Sequence, residues 1–480
     1  MTHSDLIAAL PLIILAGTGL IILLWDAFEK TPSRTPLYLT VVGAVIAALF
    51  AGMNMSSVST IAFGGLFFNT GFSNFFTVIF CASIILTALL AERYLLEEEV
   101  LVGEFCALLL FAATGMVMLG SGADLIVTFL GLETMSISFY VLAGLFRKKT
   151  ESNEAALKYF LLGAFATGFF LYGIALIYGS LGTLSIVPYH PILNAQPSPS
   201  LLLLGLILLI VGFSFKVAAF PFHQWAPDVY EGAPTVVSGY MSTAGKAAAF
   251  SALILVLSSI PSNLLSNGAG KIQIIIAGLA ACSMLYGNIV AIAQTKIKRM
   301  LAYSSTAHAG YLLLGIAALS SIGATGIAIY AAVYLLMQIA AFGIVAMLEK
   351  ETGTGLELND YAGLAKKRPW AAFLMSIIML SLAGIPPFAG FFGKYYLFLA
   401  AINSGMTWLA IIGVISSIIA SYFYLRIIVL MYFREPIHKE ALVTKENNVS
   451  YIAIGLASAA LIVLGLMPGL LTDAAGYFFK

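Results

Sequence analysis

The chain is 480 residues long, 61% apolar and only 9% charged, with a formal net charge of +1. That composition cannot clothe a soluble surface, so the solvent of this protein is lipid, and near-neutral charge without clustered Lys and Arg argues against a nucleic-acid partner. Cys81, Cys106 and Cys282 lie far apart in apolar runs with no C-x-x-C spacing, and the five histidines show no H-x-x-x-H pairing, so the expectation is no metal or redox centre in this chain, with the cysteines as small buried hydrophobes.

A hydrocarbon core of roughly 30 Å needs about 20 helical apolar residues to cross. Such runs occur at 6–25, 37–54, 74–95, 101–120, 123–146, 155–180 and 201–224, then at 235–260, 271–294, 301–320, 323–348, 370–400, 406–432 and 450–472. The first, from Leu6 to Trp25, lacks the basic leader and small-residue cleavage site of a secretory signal and is taken as helix 1. The expected fold is an all-α polytopic membrane protein of about fourteen transmembrane helices, forming a single domain over 1–480. Nearly all loop Lys and Arg residues follow odd-numbered runs, including Arg147-Lys148-Lys149 and Lys366-Lys367-Arg368, and only Lys271 sits in a loop after an even-numbered one. By the positive-inside rule the odd-to-even loops face the cytoplasm and both termini face out.

Charges inside the runs carry the main signal. Glu133 lies in L-G-L-E-T-M-S of helix 5, Lys216 in G-F-S-F-K-V-A-A-F of helix 7, Lys246 in S-T-A-G-K-A-A-A of helix 8 and Lys394 in F-F-G-K-Y-Y of helix 12. Each costs roughly 2.5–3.5 kcal/mol near the bilayer centre even on the lenient insertion scale. Burial disfavours the charged form and an opposite charge nearby restores it, so such a group can switch its proton. One static Glu–Lys pair would serve packing alone; three separate lysines point beyond that, to a proton path.

Two runs carry helix breakers next to a buried lysine. Helix 7 continues from Lys216 into A-A-F-P-F-H-Q-W-A-P-D, with Pro221 inside the span and Pro227 just beyond it. Helix 12 reads S-L-A-G-I-P-P-F-A-G-F-F-G-K, with Pro386-Pro387, Gly384, Gly390 and Gly393 ahead of Lys394. Both helices are expected to be discontinuous in mid-membrane, because proline removes a backbone donor and clashes with the preceding turn. Unwound backbone at that depth is tolerated only inside protein or along a wet cavity, and paired broken helices point to inverted repeats. The lysine precedes its proline in one and follows it in the other, as opposite topology requires. The division expected is helices 1–3 over 1–98, repeat one (helices 4–8) over 99–262, repeat two (helices 9–13) over 263–434, and helix 14 over 435–480. Two unrelated proline kinks are the plainer alternative.

Lesser polar features follow. Glu154 and Lys158 at i,i+4 read as a local helix pair, with Lys158 also a candidate for the proton path. His308 in S-S-T-A-H-A-G-Y, beside Ser304, Ser305 and Thr306, is a titratable ring that serves either as a relay or as a hydrogen-bonded core residue. Glu104 is read as interfacial, and Asp228 and Glu231 as structure of an outer loop after helix 7.

Four stretches carry a resemblance over essentially the whole chain: L-G-L-E-T-M-S around Glu133, F-K-V-A-A-F-P-F-H-Q-W-A-P-D-V-Y-E-G-A-P-T from Phe215, A-I-A-Q-T-K-I-K-R-M-L-A-Y-S-S from Ala291, and M-L-S-L-A-G-I-P-P-F-A-G-F-F-G-K-Y from Met379. The chain resembles the subunit N family of bacterial NADH-quinone oxidoreductase, respiratory complex I. The third stretch is shared with all antiporter-like subunits and with multisubunit cation/proton antiporters; D-V-Y-E-G-A-P is the part that looks like subunit N. The resemblance implies discontinuous helices 7 and 12 along a central polar axis, with Glu133 and Lys216 as the modulating pair, Lys246 as central relay and Lys394 as exit-side site. It further implies a bacterial inner-membrane location, other membrane-arm subunits as partners, and NADH, FMN, iron–sulfur clusters and quinone bound in those neighbours rather than here. A free-standing channel could not move charge against a potential, at about 2.3 kcal/mol per 100 mV, so partners or an ion gradient must drive it. Competing readings are a cation/proton antiporter subunit, a purely structural membrane-arm subunit and a solute carrier; the last lacks a recognisable substrate motif.

Overall fold

The computed structural model describes residues 3–28, 33–57, 59–96, 102–187, 197–259, 269–352, 356–436 and 448–476. Lipid offers the backbone no partner, so an apolar chain satisfies its N–H and C=O groups within helices. The first six are α1 (His3–Phe28), α2 (Thr35–Asn54), α3 (Gly71–Leu96), α4 (Val102–Ser121), α5 (Leu125–Ala143) and α6 (Thr150–Leu181). The seventh crossing is split into α7 (Pro199–Lys216) and the short α8 (Trp225–Gly232), and is followed by α9 (Thr235–Ser259). Then come α10 (Ala269–Ile292), α11 (Ile297–Ala317), α12 (Ser321–Thr352) and the single turn α13 (Leu364–Lys367). The twelfth crossing is split into α14 (Pro369–Ala383) and α15 (Ala389–Asn403), and the chain continues through α16 (Thr407–Phe433), α17 (Asn448–Leu466) and α18 (Gly469–Ala475).

Among the described residues, twelve helices are long and apolar enough to cross a membrane alone. The remaining two crossings are α11, too polar to qualify, and α14 with α15, which span together. Nearly every residue of α9 and α11 is buried, so their polar side chains face protein rather than lipid. Among the described residues the only strands form a small antiparallel hairpin, β1 (Thr60–Ala62) with β2 (Phe67–Asn69), tied to α1 where the Asp5 carboxylate accepts from the Phe63 amide at 2.7 Å.

Two five-helix blocks share one packing order. In the first, α4 packs on α5, α5 on α6, α6 on α7, and α9 closes back on α4; in the second, α10 packs on α11, α11 on α12, α12 on α14 and α15, and α16 closes back on α10. Glycines let the first two helices of each block approach closely: a Cβ on Gly115 would lie 2.5 Å from the Met135 amide nitrogen in the α4–α5 pair, and one on Gly310 would lie 2.7 Å from that of Met284 in the α10–α11 pair. Five antiparallel helices invert the next block.

Segments after even-numbered crossings gather at one end, where Phe67 bridges to Gly122 and Asp124 to Ser185. Those after odd-numbered crossings gather at the other, where Lys296 bridges to Glu357 and the loops after α5, α8, α10 and α12 enclose a common cavity. This second end is the basic one.

Three local expectations change. The tenth helix starts at Ile297 rather than 301, so Lys298 and Arg299 lie in its first turn. Asp228 and Glu231 belong to α8 and to the basic end, not to an outer loop, because the backbone resumes helical bonding at Trp225 once Pro221 is passed. Cys81 and Cys106 are buried as expected, but Cys282 is exposed on the outer side of α10, where a thiol suits an apolar solvent.

Candidate functional site

Both crossings that place proline beside a buried lysine are broken. The seventh leaves helical geometry between Lys216 and Trp225, with Ala218 at φ +56°, and the twelfth between Ala383 and Ala389, with Gly384 at φ +82°. A break exposes end carbonyls and amides that need partners. At the first, the Trp225 indole donates to the Phe215 carbonyl at 2.9 Å and the Phe220 amide to the Ser283 hydroxyl at 2.9 Å. At the second, the end carbonyls of α14 are taken by a lysine.

Lys216 is the last residue of α7 and is 5% exposed. Its ammonium donates to the Ser136 hydroxyl at 2.7 Å and the Tyr140 hydroxyl at 3.0 Å, and Ser136 passes a hydrogen bond back to the Leu132 carbonyl. Glu133 does not pair directly with Lys216. Its carboxylate accepts from the Thr167 hydroxyl of α6 at 2.7 Å, one turn of α5 from Ser136. The pair expected from the sequence is therefore a charge–hydroxyl–charge arrangement along one helix face, since Glu133, Ser136 and Tyr140 follow at i, i+3 and i+7.

Lys246, 1% exposed on α9, donates to the Ser305 carbonyl at 2.6 Å and to the Ser305 hydroxyl. Its neighbour Gly245 lies against Phe139, so that a Cβ there would come within 2.6 Å of the ring. That contact sets the Lys246 turn of α9 beside the stretch of α5 that holds Ser136 and Tyr140.

From Ser305 a stripe runs along α11 in steps of three residues, each rising about 4.5 Å. His308 comes next, 2% exposed, with Nδ1 hydrogen-bonded to the Tyr330 hydroxyl and Nε2 to the Tyr424 hydroxyl at 3.0 Å. Tyr334 stacks 4.7 Å from the imidazole. Tyr311 follows, and the Lys394 ammonium sits 4.9 Å from its ring centroid. Lys394 also donates to the Leu382 carbonyl at 3.1 Å, the Ala383 carbonyl at 3.0 Å and the Ser417 hydroxyl at 2.8 Å. One helix thus joins two buried lysines through a histidine and a tyrosine.

Lys158 lies elsewhere. It is half-exposed at the basic end, bonded to Glu154 at 2.6 Å, as the i,i+4 spacing anticipates, and to Asp228 at 2.9 Å. Arg299 bridges Asp228 and Glu231, both at 2.8 Å, and Lys296 holds Glu231 at 2.7 Å. The hydrogen bond that the Lys296 ammonium donates to Glu231 raises it above its ordinary 10.5, so the lattice stays charged through neutral pH. Glu104 is interfacial, 3.3 Å from Arg147.

The sequence reading did not single out Ser136, Tyr140, Tyr311, Tyr330, Tyr334, Ser417 or Tyr424. For Ser136 and Tyr140 the signal was present, as helical spacing from Glu133. The tyrosines of α12 and α16 reach His308 from distant parts of the chain, which no local pattern reveals.

Residues 122–420, a stretch that holds Glu133, Lys216, Lys246, Lys394 and both breaks, match the family described as NADH:quinone oxidoreductase/Mrp antiporter, transmembrane. Subunit N 1 of NADH-quinone oxidoreductase from Chloroherpeton thalassium is 42% identical, with 98% of this chain and 97% of that protein covered. The chain belongs to the NADH-quinone oxidoreductase subunit N family. Subunit N of Salinibacter ruber is 41% identical, with 99% of this chain and 96% of that protein covered. Among solved structures, a chain of respiratory complex I from Thermus thermophilus with bound aureothin matches at a TM-score of 0.81 and 34% identity, over 97% of this subunit N chain and 99% of that one. A chain of the Mrp complex from a Dietzia species matches at a TM-score of 0.80 and 21% identity, over 99% and 97% of the two chains; that likeness shows a fold common to subunit N and the Mrp chain.

Proposed function

We propose that this chain is the antiporter-like, proton-translocating subunit N of the membrane arm of an NADH-quinone oxidoreductase, and that Glu133, Lys216, Lys246, His308 and Lys394 carry the proton. The observation that supports it most is the α11 stripe, Ser305–His308–Tyr311, with Lys246 bonded at one end and Lys394 over the other. A proton released by the Lys246 ammonium is taken up by Ser305, which donates toward His308. An imidazole accepts on one nitrogen as it releases from the other, and Tyr330 and Tyr424 hold both nitrogens in hydroxyl contacts. Lys394 completes the sequence, its ammonium held by carbonyls freed by the second break. On the other side, Glu133 biases Lys216 through Ser136: charge on Glu133 favours the protonated lysine, and loss of that charge favours release. Lys158, in the surface lattice, is a candidate donor at the mouth of the path and not a member of the axis.

The functional division follows the two blocks, with repeat one over 99–262 and repeat two over 263–434, flanked by 1–98 and 435–480. The basic end faces the cytoplasm of a bacterial inner membrane, and both termini face out. Electron transfer through NADH, FMN, iron–sulfur clusters and quinone belongs to other subunits, which supply the roughly 2.3 kcal/mol per charge per 100 mV. A subunit of a multisubunit cation/proton antiporter is the second reading, favoured by the shared fold; the D-V-Y-E-G-A-P segment and near full-length identity to subunit N chains weigh against it.

The test is the purified complex in vesicles, measured for NADH-driven quinone reduction and proton uptake with wild type and Lys246→Ala. Loss of proton uptake by an assembled complex is the expected result. Unchanged uptake overturns the lysine axis and leaves a structural role.

A further inference from the structure

The basic end opens into a cavity of about 530 Å³ whose lining includes Lys149, Glu154, Lys158, Lys298 and Glu349. Its outer wall is the ion-pair lattice already described. Its floor is different. Lys298, in the first turn of α11, is only 4% exposed, and its ammonium donates to the Ala233 carbonyl at 2.9 Å. Among the described residues it forms no ion pair, an expensive position for a lysine. Close by, the half-buried Glu349 near the end of α12 accepts a short hydrogen bond from the Thr235 hydroxyl, at the start of α9. Glu349 and Lys298 both line the cavity, and neither has a role in the axis.

The three helices at this floor are the ones that carry the centre of the molecule. α9 runs from Thr235 through Ser238 and Ser242 to Lys246, all on one face at spacings of three and four. α11 runs from Lys298 to Ser305, seven residues or about 10 Å. α12 runs from Glu349 inward to Gln338 and Tyr334. Between floor and Ser305, three buried polar atoms have no hydrogen-bond partner among the described residues: the Tyr230 hydroxyl, the Tyr334 hydroxyl and the Gln338 side-chain oxygen. Both tyrosine hydroxyls reach toward the hydroxyl of Ser305, the residue to which Lys246 is bonded. The Gln338 amide nitrogen is anchored to the Leu301 carbonyl at 3.3 Å, midway between Lys298 and Ser305 on α11. Buried polar groups left over by the protein are the groups that bind ordered water.

We propose that this cavity is a proton inlet that reaches Lys246 directly, bypassing Lys216, with Glu349 as its proton-accepting carboxylate and Lys298 as the positioning cation beside it. It rests on the lysine axis of the proposed function. In the step, the Glu349 carboxylate takes a proton from water at the cavity and loses it inward as its O–H bond breaks. Each water or hydroxyl along the way accepts on a lone pair and releases a proton from its other side. The final acceptor is the neutral Lys246 amine, which becomes an ammonium, with no change of oxidation state. The plainer reading, that Glu349 and Lys298 only pin the ends of three helices, predicts sensitivity to the shape of these side chains and indifference to their protonation.

Glu349→Gln separates the two, because an amide oxygen still accepts from Thr235 but cannot carry a proton. The complex is reconstituted with its basic end facing outward, and NADH-driven proton uptake is measured for wild type, Glu349→Gln, Glu349→Ala and Lys246→Ala, with assembly checked for each. The inlet requires at least a tenfold loss of uptake in Glu349→Gln and partial restoration of Glu349→Ala by external formate, a small acid able to take the vacated place. Normal uptake in Glu349→Gln beside a dead Lys246→Ala overturns the inlet and leaves the axis standing. Loss in both Glu349 variants without formate rescue, or with failed assembly, assigns Glu349 to packing and also overturns it. Normal uptake in Lys246→Ala instead removes the axis itself.

Discussion

The two broken crossings are written in nearly the same letters, a lysine close to proline in an apolar run, yet they hold their lysines by opposite means. At the first, Lys216 ends α7, the half-helix away from the basic end, and is bound by side chains, the hydroxyls of Ser136 and Tyr140, with a carboxylate one turn away. The end carbonyl of Phe215 is left to Trp225. At the second, Lys394 lies past the break, in the half-helix α15 that leads away from the basic end, and reaches back to the carbonyls of Leu382 and Ala383. Backbone dipoles at a helix C-terminus attract a cation but cannot be titrated; a carboxylate can. In the proposed path the first site is therefore the one a carboxylate can switch, and the second passes its proton in a fixed field.

The largest effects should be common to both. Lys216→Met and Lys394→Met are each expected to lower proton uptake by more than tenfold in an assembled complex, and survival of uptake in only one would show that the two breaks do not serve one path. Glu133→Gln is expected to slow uptake several-fold, and it should act only through the first break: in a Lys216→Met background it should add nothing, whereas in a Lys394→Met background it should still alter whatever residual proton exchange remains. A backbone test sharpens the contrast. At Gly384, φ is +82° and an added Cβ would lie 3.1 Å from the Lys394 Cδ, so Gly384→Ala should cost about 1–2 kcal/mol and displace the lysine. Ala218 already occupies the left-handed region at φ +56°, so Ala218→Gly should change stability by no more than about 1 kcal/mol. Thermal unfolding of the two purified complexes checks both. Smallest of all is the surface lattice, which neither break uses. Exposed pairs are worth about 0.2–1 kcal/mol, so Glu154→Gln should lower stability by no more than about 1 kcal/mol. Because its partner Glu231 raises Lys296 above 10.5, the stability linked to the Lys296 ammonium is complete below pH 10.5 and is lost as pH rises beyond it. A pH scan of thermal stability should find no transition from this pair near neutrality.

Much of this was legible in the chain. The apolar runs gave the crossings, the loop charges gave the basic end, and the prolines beside Lys216 and Lys394 gave the breaks. What could not be read were partners from other helices. Thr167 rather than Lys216 meets the Glu133 carboxylate, and Tyr330 and Tyr424 meet His308 from 22 and 116 residues away. Lys298 looked like one more loop cation, because its burial depends on where α11 begins and on what α8 and α9 place over it.

The sequence by itself determined which segments enter the membrane, that each would be helical, and where two helices must break, because lipid leaves the backbone no other solution and proline removes a donor wherever it falls. Only the tertiary structure decided which groups compensate each buried charge. The cost of a bare ammonium in lipid demands a partner but does not name one, and a hydroxyl, a carbonyl or a carboxylate serves according to which helix packs there.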